Sequence, residues 1–68
     1  MSVARITEIK ASSPISFQDA LEQGIARACQ TLDNVRSAWI ANQEVQVDIE
    51  GKICAYMVHL KVTFVLED

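Results

Sequence analysis

The last stretch of the chain, residues 53–66, is its longest apolar run. Every second residue in it is apolar, and several of these are β-branched or aromatic, which is the period of a strand with one face in a core. The intervening positions are mixed in polarity, so we expect the second face to be only partly covered. Because no Gly or Pro interrupts the run, it is predicted to form the central strand of a sheet. The predicted core face comprises Cys54, Tyr56, Val58, Leu60, Val62, Phe64 and Leu66.

A helical period begins at Phe17 and continues for about four turns. Apolar or small residues recur there at i, i+3, i+4 and i+7, which places them on one side of an amphipathic helix. Ser16 and Asp19 resemble a capping box at its start, and residues 33–34 are expected to end it. Gly24 lies on the apolar side, where a missing side chain allows close approach, so we expect it at the contact between helix and sheet.

The first residues of the chain predict a short strand. Residues 3–10 contain several β-branched residues interrupted by charged ones, which favours a strand at the edge of a sheet. Segment 11–15 is predicted to be a loop, because Pro14 cannot donate a ladder hydrogen bond and biases the residue before it.

Residues 35–42 alternate as a second strand. We expect this strand to continue, after a bend or bulge near residues 43–44, as far as Ile49. Residues 50–52 are predicted to form the hairpin turn, since Gly51 can adopt a positive φ. The alternation places Val35, Ser37, Trp39 and Ala41 on one face, and Arg36, Ala38, Ile40 and Asn42 on the other.

The order of these elements predicts an α+β fold of the β-α-β-β type. A helix between the first two strands makes them run in the same direction, and the hairpin makes the third strand antiparallel to the second. We therefore predict a three-stranded antiparallel sheet of order 1-3-2 with one helix packed on one face. The helix cannot cover both faces, so the other face is expected to pack against other copies or a ligand.

Residues 1–68 are expected to form a single domain with a thin core, because a chain of this length buries only about 60% of its unfolded surface. Disulfides, a metal or an oligomer usually supplement such a core. Cys29 and Cys54 lie in apolar patterns without a CxxC motif, so we expect two buried free thiols. The single histidine, His59, has no second ligand at metal-binding spacing. Oligomerisation is the supplement that remains.

The charge balance is acidic, with six Lys and Arg against nine Asp and Glu and a formal net charge of −3. The absence of a basic cluster argues against nucleic-acid binding. The first residues lack the apolar region of a signal peptide, and no segment approaches the ~20 apolar residues that cross a bilayer. We therefore expect a cytoplasmic protein without a membrane partner. No Ser/His/Asp constellation, Gly-rich phosphate loop or Cys–His pair is present, so we expect no enzymatic activity.

Short motifs spread over nearly the whole chain resemble those of the dodecins. They are residues 12–13 and 16–17 at the start of the helix, 26–28 within it, 31–35 at its end, 42–43 after the second strand, and Tyr56 and 62–64 in the third. Dodecins are small β-α-β-β proteins that assemble as hollow shells of twelve copies, and well-studied members hold flavin at subunit interfaces. The resemblance implies a homododecamer with a flavin, such as riboflavin or FMN, as its ligand.

The resemblance also implies binding positions, and the chain departs from the family at several of them. Ser37 matches the tryptophan that stacks on the flavin ring, and Met57 matches the glutamine that hydrogen-bonds the ring edge. Asn42 and Gln46 match an aspartate and a glutamate on the ribityl side, and they keep hydrogen-bonding capacity without charge. These four residues, together with Trp39, are the predicted binding residues.

Two alternatives stay open at the ligand site. Trp39 shares a strand face with Ser37, so it is either a displaced stacking platform across a two-fold axis or a residue packed in a subunit interface. A flavin-free shell that is structural or stores ions such as calcium is the second functional hypothesis. Without a dedicated loop the candidate carboxylates are expected to be solvated surface charges, and no metal site is predicted. The carboxylates concerned are Asp48, Glu50, Glu67 and Asp68.

Overall fold

A computed structural model describes residues 2–66 of the chain. It has the predicted α+β architecture, an antiparallel three-stranded sheet of order β1-β3-β2 with one helix packed on one face. The long last strand is central and the first strand lies at an edge, as predicted. Within the described residues, no helix is both long enough and apolar enough to cross a membrane. The elements are β1 (Val3–Ser13), α1 (Phe17–Thr31), β2 (Val35–Val47) and β3 (Ile53–Leu66).

The core lies between α1 and the middle of β3. Three alternate residues of β3 are fully buried there, which confirms the predicted core face. Cys54 and Leu66, at the two ends of that face, are exposed. The 15 residues of α1 span about 22 Å, whereas the 14 residues of β3 span about 46 Å, so the helix cannot reach both ends. The central cluster of buried side chains comprises Ala20, Val58, Leu60 and Val62.

Gly24 lies at a close approach between α1 and the sheet, as predicted. A Cβ at this position would lie 3.0 Å from the Cβ of Ala11 and 3.1 Å from Cδ1 of Leu60. Carbon atoms in ordinary contact are about 3.5–4.0 Å apart, so a side chain here would push the helix away from the sheet. The glycine therefore allows α1 to lie directly on β1 and β3.

A small hydrogen-bond network around Asp19 holds the start of α1. The N–H of Asp19 donates to Oγ of Ser16, the predicted cap, over 3.0 Å. The buried Oγ of Ser13 donates to Oδ2 of Asp19 over 2.6 Å and accepts the N–H of Ile15 over 3.0 Å. The end of β1 is thereby tied to the first turn of the helix.

β1 is longer than predicted. The sequence pattern placed residues 11–13 in a loop, but they pair with β3 as far as Ser13 opposite Tyr56. Pro14 is the first residue that cannot donate to the ladder, and it is this residue that ends the strand. The loop before the helix is correspondingly short.

The predicted hairpin turn is confirmed, but Ile49 belongs to the turn and not to β2. Oδ1 of Asp48 accepts the N–H of Glu50 over 2.9 Å and that of Lys52 over 3.0 Å. Gly51 has a φ of 83°, the left-handed conformation that glycine adopts without strain. The Asp48 side chain thus closes the turn directly after β2, and Ile49 lies within that turn.

β2 contains irregularities that strict alternation does not predict. The register with β3 shifts between Val35 and Ser37, between Ile40 and Asn42, and between Gln46 and Val47. The bulge expected near residues 43–44 is therefore found earlier, at Ala41. An extra residue reverses the side to which the following side chains point. Asn42 consequently shares a face with Trp39, and Val35 faces the helix, both contrary to the prediction.

Both cysteines are free, but neither is buried, contrary to the prediction. Cys54 lies near the start of β3 beyond the reach of α1, and its Sγ donates only a 3.4 Å hydrogen bond to the carbonyl oxygen of Gln46. Cys29 follows the buried Ala28 and lies one residue further around the helix. An apolar pattern overestimates burial at the end of a sheet and on the flank of a helix.

Candidate functional site

One face of the sheet lies opposite α1, and we call it the open face. On β3 it is formed by the alternate positions from Ile53 to Val65, the face predicted to be partly covered. These side chains are half-buried from Ala55 onwards, while Ile53 is exposed. Residues of β1 and β2 that pair with these positions complete the open face.

All five predicted binding residues lie on the open face. Met57 belongs to β3 itself, and the other four are on β2 opposite open-face residues of β3. The bulge at Ala41 turns Asn42 and Gln46 toward the same side as Trp39, so the five side chains form one strip. The pairs are Ser37 with Thr63, Trp39 with Lys61, Asn42 with His59, and Gln46 with Ala55.

Trp39 is the aromatic residue of this strip. Its side chain is 45% exposed, although a tryptophan in a single-chain core would be largely covered. Nζ of Lys61 lies 5.9 Å from the centroid of the ring, within the range of a cation–π interaction. The contact follows from the direct cross-strand pairing of the two residues. Lys61 therefore covers part of the indole and leaves the rest accessible.

Contacts between a carboxylate and a lysine or histidine side chain connect the strands on the open face. Oε2 of Glu8 lies 3.3 Å from Nε2 of His59, and Oε1 of the same carboxylate lies 3.7 Å from Nζ of Lys61. Across β3, Nζ of Lys10 lies 2.7 Å from Oε1 of Glu44. Glu8, Lys10 and Glu44 are mostly exposed, whereas His59 and Lys61 are half-buried. Each contact is still reached by solvent, so it contributes at most about 1 kcal/mol and chiefly orients its members.

Sequence reasoning missed these contacts. The pair between Glu8 and Lys61 could have been predicted from the strand order, because the register that sets these two residues opposite each other brings their charges together. The register itself, however, depends on where β1 ends, and that boundary was predicted too early.

The described residues do not form a metal site within one chain. No group of three or more His, Cys, Asp or Glu side chains suited to a metal occurs among residues 2–66. Asp48 and Glu50, two of the carboxylates considered for calcium, lie in the exposed hairpin turn, where Asp48 already accepts two backbone N–H groups. Glu67 and Asp68 lie outside the described residues.

The fold and the open face together define a small α+β domain whose uncovered sheet face carries an exposed tryptophan among polar side chains. The family model described as Dodecin matches residues 3–67. The chain belongs to the dodecin family, as the resemblance of its motifs implied.

Named relatives agree with this assignment. The chain is 36% identical over 64 residues to the calcium dodecin of Mycobacterium tuberculosis, covering 94% of this chain and 89% of that protein. The dodecin of Streptomyces davaonensis has a TM-score of 0.92 at 33% identity, with 98% of this chain and 97% of that one covered. The dodecin of Streptomyces coelicolor has a TM-score of 0.91 at 28% identity, with coverages of 98% and 94%.

Proposed function

We propose that this chain is a non-enzymatic cytoplasmic protein that assembles as a hollow shell of twelve copies and sequesters a small planar ligand on its open face. The observation that carries the proposal is that all five predicted binding residues lie on the same sheet face as the half-exposed Trp39, in a strip that runs along β2 and β3. An exposed aromatic ring with the amide of Asn42 at the next open-face pair suits a flat ligand with a polar edge.

Assembly is supported by how little of the chain is buried. Among residues 2–66, the buried apolar side chains come from α1 and the middle of β3, and two of the five are alanines. On the open face, Trp39 is exposed and the alternate residues of β3 are only half-buried. Packing this face against a second copy about a two-fold axis supplements the thin core and forms a site from two halves.

A flavin, either FMN or riboflavin, is the ligand that the family suggests. Ser37 and Met57 stand where flavin-binding dodecins carry the stacking tryptophan and the ring-binding glutamine. Trp39 lies on the same face as Ser37, two residues further along β2, and we assign it the role of a displaced stacking platform. With this platform alone, we expect weaker flavin binding than in dodecins that keep both residues.

The test combines particle mass with a titration. Light scattering of the purified protein should give close to twelve times the 7.6 kDa mass of the chain. Titration with FMN and riboflavin, followed by quenching of flavin fluorescence, should show weak binding that Trp39→Ala abolishes. Trp39→Phe is the matched control, because it keeps an aromatic ring and should retain part of the affinity.

The outcomes separate the two parts of the proposal. A stable monomer at micromolar concentration would disprove the shell. Binding that Trp39→Ala leaves unchanged would reject the displaced platform, and no flavin binding by the intact shell would reject the planar ligand.

Calcium is the second candidate ligand, because the Mycobacterium tuberculosis relative is a calcium dodecin. Calcium takes six to eight oxygen ligands, several of them commonly carboxylates, and no group of three or more His, Cys, Asp or Glu side chains suited to a metal occurs within residues 2–66. A calcium site would therefore need carboxylates from several copies. Calorimetric titration with Ca²⁺, with Mg²⁺ as the control ion, should give saturable heat for Ca²⁺ alone; absence of heat would reject this candidate.

A further inference from the structure

The far end of the β2–β3 hairpin projects beyond the helix. We call residues 45–54 the distal hairpin. Phe17, the first residue of α1, packs edge-on against Tyr56 with ring centroids 5.2 Å apart, and every residue of the distal hairpin, beyond this contact, is exposed. The distal hairpin is thus a two-stranded ribbon without a layer behind it. Its exposed large apolar side chains are Val45, Val47, Ile49 and Ile53.

Such a ribbon needs a partner. A lone two-stranded hairpin is marginally stable in water, and a cluster of exposed apolar side chains marks an interface. Ile49 is 102% exposed at the tip, so it contacts essentially nothing in its own chain. The two hydrogen bonds accepted by Asp48 nevertheless hold the turn that presents it. A rigid apolar tip of this kind is preorganised for insertion.

A groove of about 480 Å³ between α1 and the edge strand β1 offers a matching surface, which we call the α1–β1 groove. Small residues, Ala11, Gly24 and Ala28, are among those that line it, and Arg27 also lines it. No acidic residue occurs among its described lining residues. The Arg27 side chain has no hydrogen bond or ion pair within residues 2–66, and the same holds for the side chain of Glu50 beside Ile49.

We propose that the distal hairpin of one copy inserts into the α1–β1 groove of the next copy, with Ile49 against the small residues and Glu50 paired with Arg27. The inference rests on the proposed assembly. Packing of the open face on itself joins copies only in pairs, so a shell needs a second contact on another surface. The hairpin and the groove are different surfaces of one chain, and a head-to-tail contact between them closes into a ring when the rotation from one copy to the next is a whole fraction of a turn.

Charge reversal tests this contact directly. Glu50→Lys and Arg27→Glu each place like charges together, and each should raise the subunit concentration at which the shell assembles by about tenfold or more. The double variant restores opposite charges and should assemble at nearly the original concentration. Glu22→Lys is the matched control, because Glu22 is exposed on α1 and does not line the groove.

Ile49→Asp provides a test that does not depend on charge pairing with Arg27. It removes no contact within the chain, so circular dichroism should report an unchanged fold while light scattering reports smaller particles. If the wild-type shell forms and the Glu50, Arg27 and Ile49 variants all keep its mass, the hairpin contact is wrong and the shell stands. If the wild-type chain remains a monomer, both proposals are wrong.

Discussion

Gly24→Ala tests whether α1 lies on the sheet as closely as the structure shows. The added methyl group would lie 3.0 Å from the Cβ of Ala11 and 3.1 Å from Cδ1 of Leu60. Cδ1 is the end of a flexible side chain and can move, whereas the Cβ of Ala11 is fixed to the backbone of β1. Ala11 is therefore the contact that resists the substitution.

Two opposite effects determine how much Gly24→Ala changes the free energy of unfolding. Alanine improves helix propensity over glycine by about 1 kcal/mol, whereas overpacking of a tight contact costs about 1–3 kcal/mol. Gly24→Ala should thus range from neutral to about 2 kcal/mol destabilising. Ala11→Gly removes the opposing methyl group, so Gly24→Ala should be more favourable in that background, with a coupling energy of about 1 kcal/mol or more.

The assay is urea unfolding followed by circular dichroism for the wild type, both single variants and the double variant. All four are compared at one protein concentration, because assembly shifts the apparent stability. Glu22→Ala is the control: Glu22 is exposed on α1 and does not line the groove, so its substitution should be nearly neutral and additive with Ala11→Gly. Additive effects of Gly24→Ala and Ala11→Gly would refute the close contact.

Three further predictions concern the open face and the thiols. Lys61→Ala should increase acrylamide quenching of Trp39, the only tryptophan, because it removes the side chain that covers part of the ring. Lys52→Ala should leave the quenching unchanged, and equal quenching in both variants would contradict the contact. Ser37→Trp with Met57→Gln should strengthen flavin binding, measured by fluorescence titration, and unchanged affinity would show that neither position contacts the ring. Both exposed cysteines should react with a thiol reagent in the folded protein, and thiols that are fully protected from the reagent would indicate burial between copies. Replacing both cysteines with serine should change the free energy of unfolding by less than about 0.5 kcal/mol.

The fold could be predicted because β3 and α1 have clear periods of different length. The hairpin and the connecting helix then leave few possible strand orders. The burial of individual residues was predicted less well than the fold, because it depends on the relative lengths of β3 and α1, which meet only in the folded chain. Cys54 continues the apolar face of β3 without interruption, yet it is exposed because α1 ends its coverage near Tyr56.

The sequence did not predict how the five proposed binding residues are arranged on the sheet. The bulge at Ala41 has no glycine or other local signal, and strict alternation placed Asn42 on the wrong face. The family resemblance identified Asn42 and Gln46 as binding positions without showing how they reach the side of Trp39. Only the paired register of β2 with β3 explains why these side chains share a surface.

The interactions already present on the open face decide which of its features controls ligand affinity. The ion pairs of Glu8 and Lys10 are largely exposed, so rearranging each one costs at most about 1 kcal/mol. A lost stacking contact and a lost hydrogen bond cost about 0.5–1.5 kcal/mol each, and a two-fold site loses both twice. The total of about 2–6 kcal/mol corresponds to a roughly 30-fold to 10⁴-fold weaker affinity. In the proposed site the substitutions at Ser37 and Met57 therefore outweigh the charges, and we expect the affinity for a planar ligand to depend chiefly on how much of the Trp39 ring remains accessible beside Lys61.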